Sequence, residues 1–194
     1  MRLYGASGHA KVIIGILKLL KQSISKIYDD KAPFQLLDYK VTSFDNDYTG
    51  DYIISVGNNK ARKKISKLLN KAHFGNAIHP TSIIDSSVEI AIGTVVMASA
   101  TINPATVIGK HCIINTSASI DHDCVIADFA HISPNATLCG NVVVGEGTQI
   151  GAGAVINPNI SIGKWCIVGA GAVIIKNIPD NATVVGNPGR IINL

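Results

Sequence analysis

The sequence predicts two domains of different class: an α/β domain over residues 1–77 and a parallel β-helix over residues 78–194. Three observations predict this division. Short apolar segments alternate with lysine-rich amphipathic segments in the first part, an alternation typical of strands and helices. An aliphatic residue then recurs at every sixth position of the second part. The chain is 47% hydrophobic but only 5% aromatic and 15% charged, so its core must be aliphatic.

The α/β domain is predicted from its alternating pattern. We expect strands at residues 1–4, 26–30 and 52–56, and helices at residues 10–20 and 60–69. A glycine loop, GASGH, separates the first strand from the first helix, and the segment GNN precedes the last helix. This order predicts a small, Rossmann-like parallel sheet that binds ligands at the carboxyl ends of its strands. The glycine loop is not GxGxxG, so by itself it indicates a nucleotide only weakly.

The β-helix is predicted from a period of six residues. Each sixth position from Ile78 to Ile174 is Ile, Leu or Val without interruption. Neither the helical period nor simple alternation explains this spacing, which is typical of coils built from short stacked strands. Small residues mostly lie two positions before the aliphatic ones, and Cys112, Cys124 and Cys166 occupy such positions. These cysteines are therefore interpreted as packing residues rather than reactive thiols.

Composition and charge exclude several classes of protein. The apolar stretch at residues 12–20 contains Lys18 and is far shorter than the ~20 residues that cross a bilayer. No small-residue cleavage site follows it, so we expect a cytoplasmic protein without membrane insertion. The net charge of +4 arises from +7 in residues 1–75 and −3 in the remainder. No aromatic residues are interleaved with the helical lysines, so no nucleic-acid partner is expected.

The periodic half resembles the left-handed β-helix of hexapeptide-repeat acyltransferases, in which three hexapeptides form one triangular coil. Its ending, IIKNIPDNATVVGNPGRII, is close to the closing motif of that family. The resemblance implies a homotrimer that binds acetyl-CoA in the clefts between subunits. The whole chain also resembles the sugar acetyltransferases of sialic-acid and bacillosamine-type pathways. The motifs that carry this resemblance are YGASGH, a strand ending in DD, SVGNN followed by RKKI, and IHP.

This second resemblance implies that the N-terminal domain holds the nucleotide of a nucleotide-linked amino sugar. The positions that match the family's pocket are Ser7, Gly8, His9, Asp29, Asp30, Gly57 and Asn58. Physically, the amides of a glycine loop at a helix N-terminus suit a diphosphate, and a carboxylate such as Asp29 suits base or ribose hydroxyls. Asp29 is equally consistent with a strand end that faces solvent.

His122 is the candidate general base. The segment around it, NTSASIDHDCVIADFAHIS, resembles the one that carries the family's catalytic histidine, and His122 follows inward-facing Ile120 by two residues, so it projects from the coil. Asp123, or alternatively Asp121, is expected to hold its tautomer. Gly140 follows His122 by one 18-residue coil and should lie about 4.8 Å away. Its amide could then donate to the thioester oxygen, a role that the resemblance also assigns to it.

The remaining candidates concern the coenzyme and the subunit arrangement. Asn115 matches a further active-site position of the family. His131 lies half a coil from His122 and faces another side, so both can serve one site only across a subunit interface. Acetyl-CoA is expected to pass the stacked segments IGAGAVI and VGAGAVI, with cations near its phosphates. The predicted coenzyme-binding residues are His131, Gly140, Gly151, Ala152, Gly169, Ala170, Lys176 and Arg190.

The predicted activity is acetyl-CoA-dependent N-acetylation of a nucleotide-linked amino sugar, with UDP-4-amino-4,6-dideoxy-N-acetylhexosamine preferred and direct attack on the thioester. O-acetylation of sialic acid or a related sugar is the alternative, because a His–Asp pair serves either acceptor. A zinc carbonic anhydrase of the same repeat class would need an H-x4-H pair, which is missing, so no metal is expected. A purely structural β-helix would leave the exposed His–Asp pair and the glycine loop unexplained.

Overall fold

The computed structural model describes residues 1–193, and the predicted domain end at residue 194 lies outside them. The N-terminal part forms a six-stranded sheet with two helices. In chain order its elements are β1 (Arg2–Tyr4), α1 (Gly8–Leu19), β2 (Lys26–Tyr28), β3 (Phe34–Leu36), β4 (Tyr39–Thr42), β5 (Asp51–Ile54), α2 (Asn59–Leu68) and β6 (His73–Phe74). The strand order is β3-β4-β2-β1-β5-β6, and only the β3–β4 pair is antiparallel.

The predicted alternation of strands and helices is confirmed, with three strands added. The sequence pattern did not indicate β3, β4 or β6, which are short and lie toward the edges of the sheet. Helix α1 begins at Gly8, two residues earlier than predicted, because Ser7 adopts the extended N-cap conformation. This earlier start places Gly8 and His9 in the first turn of the helix, above the carboxyl end of β1.

The second part is a parallel β-helix with three faces. Face 1 contains β7 (Ala77–Ile78), β10 (Val95–Val96), β13 (Ile113–Ile114), β16 (His131–Ile132), β19 (Gln149–Ile150), β22 (Ile167–Val168), β24 (Thr183–Val185) and the antiparallel β25 (Arg190–Asn193). Face 2 contains β8 (Ile83–Ile84), β11 (Thr101–Ile102), β14 (Ser119–Ile120), β17 (Thr137–Leu138), β20 (Val155–Ile156) and β23 (Val173–Ile174). Face 3 contains β9 (Glu89–Ile90), β12 (Val107–Ile108), β15 (Val125–Ile126), β18 (Val143–Val144) and β21 (Ser161–Ile162).

The six-residue period sets both the core and the stacking of this β-helix. The second residue of each two-residue strand points inward, and from Val96 to Ile174 these side chains are at most 2% exposed. Strand residues pair with partners 18 positions later, as Val95 does with Ile113. The predicted coil length is therefore confirmed, and Cys112, Cys124 and Cys166 are buried core residues, as expected. A continuous aliphatic core of this kind stabilises each coil through its neighbours.

The N-terminal part packs against face 1 and the edge between faces 3 and 1. Residues Ile13 and Leu17 of α1 share one apolar cluster with Val95 and Ile113, the outward-facing residues of face 1. Helix α2 lies over the adjoining edge, where Asn59 Nδ2 donates to the Gly147 carbonyl at 3.0 Å. Because of this packing, the carboxyl ends of β1, β2 and β5 lie on the side of the β-helix that bears His131.

Across residues 1–193, no helix combines the length and apolar character that crossing a bilayer requires.

Candidate active site

His122 lies on the edge between faces 2 and 3, where the chain turns from β14 to β15. Its Nδ1 donates to Asp123 Oδ2 at 2.7 Å, and the two side chains are 58% and 60% exposed. Asp123 reaches this position with φ of +59°, a left-handed conformation that aspartate tolerates better than most residues. The hydrogen bond from His122 to Asp123 and the nearby charge of Asp121 raise the pKa of His122 above its ordinary value. The pair leaves Nε2 of this exposed imidazole without a hydrogen-bond partner in residues 1–193, as a free general base requires.

Gly140 stacks against His122, one coil further along the same edge. A Cβ added to Gly140 would lie 2.6 Å from both Cε1 and Nε2 of the His122 ring. The next amide, that of Asn141, donates to the His122 carbonyl at 2.9 Å, whereas the Gly140 amide donates to no acceptor within residues 1–193. The predicted stacking is therefore observed, and glycine is needed here because the imidazole occupies the space of a side chain.

His131 lies on face 1 and is held by Asn115, its neighbour one coil earlier. Asn115 Nδ2 donates to His131 Nε2 at 3.0 Å, so Nε2 is unprotonated and the proton belongs on Nδ1. Burial, with smaller contributions from the charges of Arg62 and His9, lowers the pKa of His131 to about 3. His131 is thus a neutral imidazole at physiological pH, in contrast to His122.

The predicted site residues separate onto two edges of the prism. His122, Asp123 and Gly140 share the edge between faces 2 and 3, and Lys176 follows β23 on that same edge, exposed. Asn115 and the glycine-rich segments lie on the edge between faces 1 and 2. Within one chain the structure therefore does not bring Asn115 or His131 to His122. A site that uses both edges must be assembled from two chains.

The glycine-rich segments stack as predicted, but their amides differ in availability. The Gly151 amide donates to the Val168 carbonyl at 2.8 Å, and the Gly169 amide to the Val184 carbonyl at 2.7 Å, so both stabilise the coils. The following residues, Ala152 and Ala170, are exposed, and their amides donate to no acceptor in residues 1–193. These two alanine amides are the ones open to a coenzyme. Arg190 begins β25 at the end of face 1 and is exposed.

The predicted nucleotide-binding residues converge at the carboxyl edge of the N-terminal sheet. Asp29 follows β2, and its carboxylate accepts from the amides of Ala6 at 2.8 Å and Lys31 at 3.0 Å. Asp30 is exposed and accepts from the Tyr4 hydroxyl at 2.7 Å. Asp29 therefore fixes the glycine loop to the neighbouring strand, a structural role that leaves each carboxylate oxygen with capacity for one further donor.

The two loops beside Asp29 end at helix N-termini. Ser7 caps α1 only through its backbone, and Ser7 and Gly8 are exposed. Asn58 is exposed and caps α2, with its Oδ1 accepting from the Ala61 amide at 2.9 Å, while Gly57 before it is half-buried. The uncapped first turn of α1 offers amide donors to an anion.

His9 contributes a half-buried ring at the same place. Its Nε2 is inaccessible and has no hydrogen-bond partner within residues 1–193. Burial and the charge of Arg62 lower the pKa of His9 to about 4, so this imidazole too is neutral at physiological pH.

One residue of this region was not indicated by the sequence pattern. Arg62 of α2 is only 1% exposed, and its guanidinium donates to oxygens of both parts of the chain. In the sequence it belongs to a run of basic residues that predicted a solvated helix face. Its position on the opposite face of α2 could have been inferred only from the helical period, since composition gave no signal.

Two family patterns match the chain. The PglD N-terminal domain matches residues 2–69, and the bacterial transferase hexapeptide repeat, described as six repeats, matches residues 141–176.

Solved structures resemble the whole chain. PerB from Caulobacter crescentus, in complex with CoA and GDP-perosamine, is 33% identical with a TM-score of 0.94, covering 99% of this chain and 96% of PerB. The acetyltransferase domain of PglB from Neisseria gonorrhoeae, in complex with acetyl coenzyme A, is 33% identical with a TM-score of 0.92 and 98% coverage of both chains. WeeI from Acinetobacter baumannii is 31% identical with a TM-score of 0.91, again with 98% coverage of both.

Proposed function

Because this chain belongs to the hexapeptide-repeat sugar acetyltransferases with a PglD N-terminal domain, we propose that it acetylates the amino group of a nucleotide-linked sugar. It is an acetyl-CoA-dependent enzyme of that family. The observation that carries the proposal is the likeness, over both domains, to an N-acetyltransferase bound to CoA and GDP-perosamine. O-acetylation of sialic acid or a related sugar remains the competing activity.

The catalytic step follows from the edge that bears His122. The sugar amine attacks the thioester carbonyl directly, forming a C–N bond, and His122 Nε2 accepts the proton that the amine loses. Asp123 holds the Nδ1 proton, so that Nε2 is free to act as the base. The unpaired Gly140 amide donates to the carbonyl oxygen as negative charge develops there. The C–S bond then breaks, and the CoA thiolate takes the proton back from His122 Nε2 as it leaves, which regenerates the neutral base.

The two-edge distribution of the residues supports a site shared between subunits of a homotrimer. One chain would supply His122, Asp123 and Gly140, and its neighbour would supply Asn115, His131 and the amides of Ala152 and Ala170 to the coenzyme. Outward-facing valines support association at this place, since Val107, Val125 and Val143 form an apolar stripe on face 3 and are 41%, 44% and 38% exposed. A stripe of this kind on a regular sheet indicates a surface that a partner covers.

The coenzyme site is completed by two exposed cations. Lys176 on the edge of His122 and Arg190 at the end of face 1 lie toward the C-terminal end of the β-helix, beyond the stacked glycine-rich segments. We assign them to the phosphate groups of acetyl-CoA, because a cation gains most from contact with a multiply charged anion.

The nucleotide of the acceptor is assigned to the carboxyl edge of the N-terminal sheet. The uncapped amides of α1 near Ser7 and Gly8 suit its diphosphate. Asp29 and Asp30 have free acceptor capacity for base or ribose hydroxyls, and His9, Gly57 and Asn58 line the same edge. The preferred acceptor is a UDP-4-amino-4,6-dideoxy-N-acetylhexosamine. A GDP-linked 4-amino sugar is the second candidate, because PerB binds GDP-perosamine.

Steady-state release of free CoA from acetyl-CoA tests this function. The acceptors are a UDP-4-amino sugar, a GDP-4-amino sugar, the corresponding nucleotide-linked 4-hydroxy sugars, and free sialic acid. We expect strong turnover of one amino-sugar nucleotide and none of its 4-hydroxy counterpart, which identifies both the amine and the base of the nucleotide. Turnover of sialic acid alone would replace the proposal with O-acetylation.

A further inference from the structure

Arg62 is a buried cation without an anionic partner. No carboxylate within residues 1–193 forms an ion pair with it, although a buried charge ordinarily requires one. Neutral oxygens surround its guanidinium instead. Burial lowers the pKa of Arg62 to about 10, so it keeps its charge at physiological pH.

The hydrogen bonds of Arg62 divide between the two parts of the chain. Toward the N-terminal part, Nη1 donates to the carbonyls of Val56 at 3.1 Å and Gly57 at 3.0 Å, and Nη2 donates to Asn59 Oδ1 at 2.9 Å. Toward the β-helix, Nε donates to the His111 carbonyl at 2.7 Å, and Nη2 to the Phe129 carbonyl at 2.8 Å. A single planar group thus links the loop after β5 to two successive coils.

Both ends of this link adjoin residues of the proposed site. The Gly57 carbonyl directly precedes Asn58 in the proposed nucleotide loop. A weaker contact of 3.4 Å joins Nη2 to the carbonyl of Ala130, the residue before His131. The β-helix end is fixed independently of Arg62, because the His131 amide donates to the Thr148 carbonyl at 2.9 Å. Asn59 is likewise held by its own bond to the Gly147 carbonyl, so the part of the 56–59 loop whose position depends most on the guanidinium is Val56 and Gly57.

We propose that Arg62 is a positioning residue for acetyl transfer, fixing the nucleotide-binding loop at residues 56–59 against the face of the β-helix that carries His131. This inference rests on the proposed function. The planar fork of arginine can serve both carbonyl groups at once, whereas the single ammonium of lysine keeps the charge but loses this geometry. The loop would then sample positions in which the acceptor is displaced from the coenzyme.

Arg62→Lys tests the inference through separate KM values for the two substrates. We expect KM for the nucleotide sugar to rise about tenfold or more, since an ammonium cannot donate to the Val56 and Gly57 carbonyls and to the β-helix at once. KM for acetyl-CoA should stay within about threefold, because the coenzyme residues belong to the independently stabilised β-helix. A merely structural role would lower the active fraction and leave both KM values unchanged, and that result would overturn the inference.

Lys63→Gln is the matched control. Lys63 is the next residue of α2 and also joins the two parts, through an ion pair with Glu146, but it has no hydrogen bond to the 56–59 loop within residues 1–193. Its KM for the nucleotide sugar should change by less than about twofold. An increase as large as that of Arg62→Lys would show that general docking of the domains, and not the link made by Arg62, sets the site.

Two further measurements keep the test decisive. If Arg62→Lys does not fold, Asn59→Ala removes the side-chain acceptor of Nη2 together with the hydrogen bond to the Gly147 carbonyl, whereas Asn59→Asp keeps an acceptor and removes only the bond to Gly147. KM for the nucleotide sugar should be about threefold or more higher in Asn59→Ala than in Asn59→Asp; equal KM values overturn the inference. If wild-type protein acetylates no nucleotide amino sugar, the proposed function fails, and calorimetric titration with UDP and GDP decides the inference separately. Equal nucleotide affinity of wild type and Arg62→Lys, or no nucleotide binding by wild type, would overturn it.

Discussion

Histidine pKa values shift in opposite directions at two places in the molecule. One is the edge of the β-helix that bears His122, and the other is the seam between the two parts of the chain. We define the seam by His9, Arg62, His111 and His131, which lie between the N-terminal part and face 1. At the edge, an exposed histidine contacts a carboxylate, and its pKa is raised. In the seam, three histidines are shielded from water near a buried arginine, and their pKa values are lowered.

Environment, not residue type, therefore sets the protonation of each of these histidines. A base must accept a proton near neutral pH, which an exposed imidazole beside an aspartate can do. A histidine that must keep one fixed tautomer for hydrogen bonding is better kept neutral, and burial next to a cation achieves this. In the seam, His131 shows this arrangement through its hydrogen bond with Asn115, and in the proposed function the edge provides the proton transfer.

Removing the edge histidine should have the largest effect. We expect His122→Ala to lower kcat/KM by roughly 10²–10⁴-fold, the usual contribution of a general base. Its melting temperature should remain that of the wild type because the ring is exposed. His73→Ala, at another exposed histidine, is the control and should retain full activity. Full activity of His122→Ala in the CoA-release assay would refute the assignment of the base.

Crowding the same imidazole should have the next largest effect. Gly140→Ala introduces a Cβ within 2.6 Å of Cε1 and Nε2 of His122, so the exposed ring must rotate away. We expect kcat to fall about 10–100-fold, with unfolding nearly unchanged, since the displaced imidazole and its hydrogen bond to Asp123 are exposed to solvent. Gly15→Ala, in α1 with no atom within 4 Å of the added carbon, is the control. Equal kcat values for the two variants would contradict the stacked arrangement.

Changing the partner of His122 should alter its pH dependence. The carboxylate of Asp123 raises the pKa of His122, so Asp123→Asn should lower that pKa. The base is active when neutral; the acidic limb of the kcat/KM profile should therefore move to lower pH, while the plateau falls about tenfold because the tautomer is no longer fixed. A profile whose acidic limb stays in place would assign the limb to another group.

The seam histidines should make the free energy of unfolding, rather than catalysis, depend on pH. The pKa of His111, between Phe74 and Phe129, is lowered to about 4 by burial and by Arg62, as is that of His9. The unfolded chain takes up protons near pH 6.5 and the folded chain does not, so stability is full above that pH. It is lost as the pH falls toward 4.

This loss can be assigned to individual seam residues. His111→Phe keeps an aromatic ring and removes one titrating group, so the slope of unfolding free energy against pH between 6.5 and 4.5 should decrease by about one proton, or roughly 1.4 kcal/mol per pH unit. Denaturant unfolding at several pH values measures this slope. His73→Gln is the control, and an unchanged slope in His111→Phe would show that His111 is not among the titrating groups.

The repeat allowed much of the site to be predicted, because in a β-helix sequence spacing is spatial position. One 18-residue coil places Gly140 against His122, and half a coil places His131 on another face, as observed. In the N-terminal part, the alternation of elements predicted which strand ends would meet, but not the short strands β3, β4 and β6. All strands of this sheet have two to four residues, too few to carry a period. Strands β1 and β5 were indicated by the glycine-containing loop and the helix that follow each of them, whereas pairing with neighbours alone defines β3, β4 and β6.

The sequence by itself thus determined the coil, the inward core and the edge on which each periodic residue lies, since each follows from local spacing. Only the tertiary structure decided what the seam contains. Arg62 has the sequence context of a solvated lysine-rich helix, and its burial depends on carbonyls up to 68 residues away in the β-helix. The lowered pKa values of His9 and His131 likewise depend on the docking of one part against the other, because desolvation arises only when distant surfaces meet.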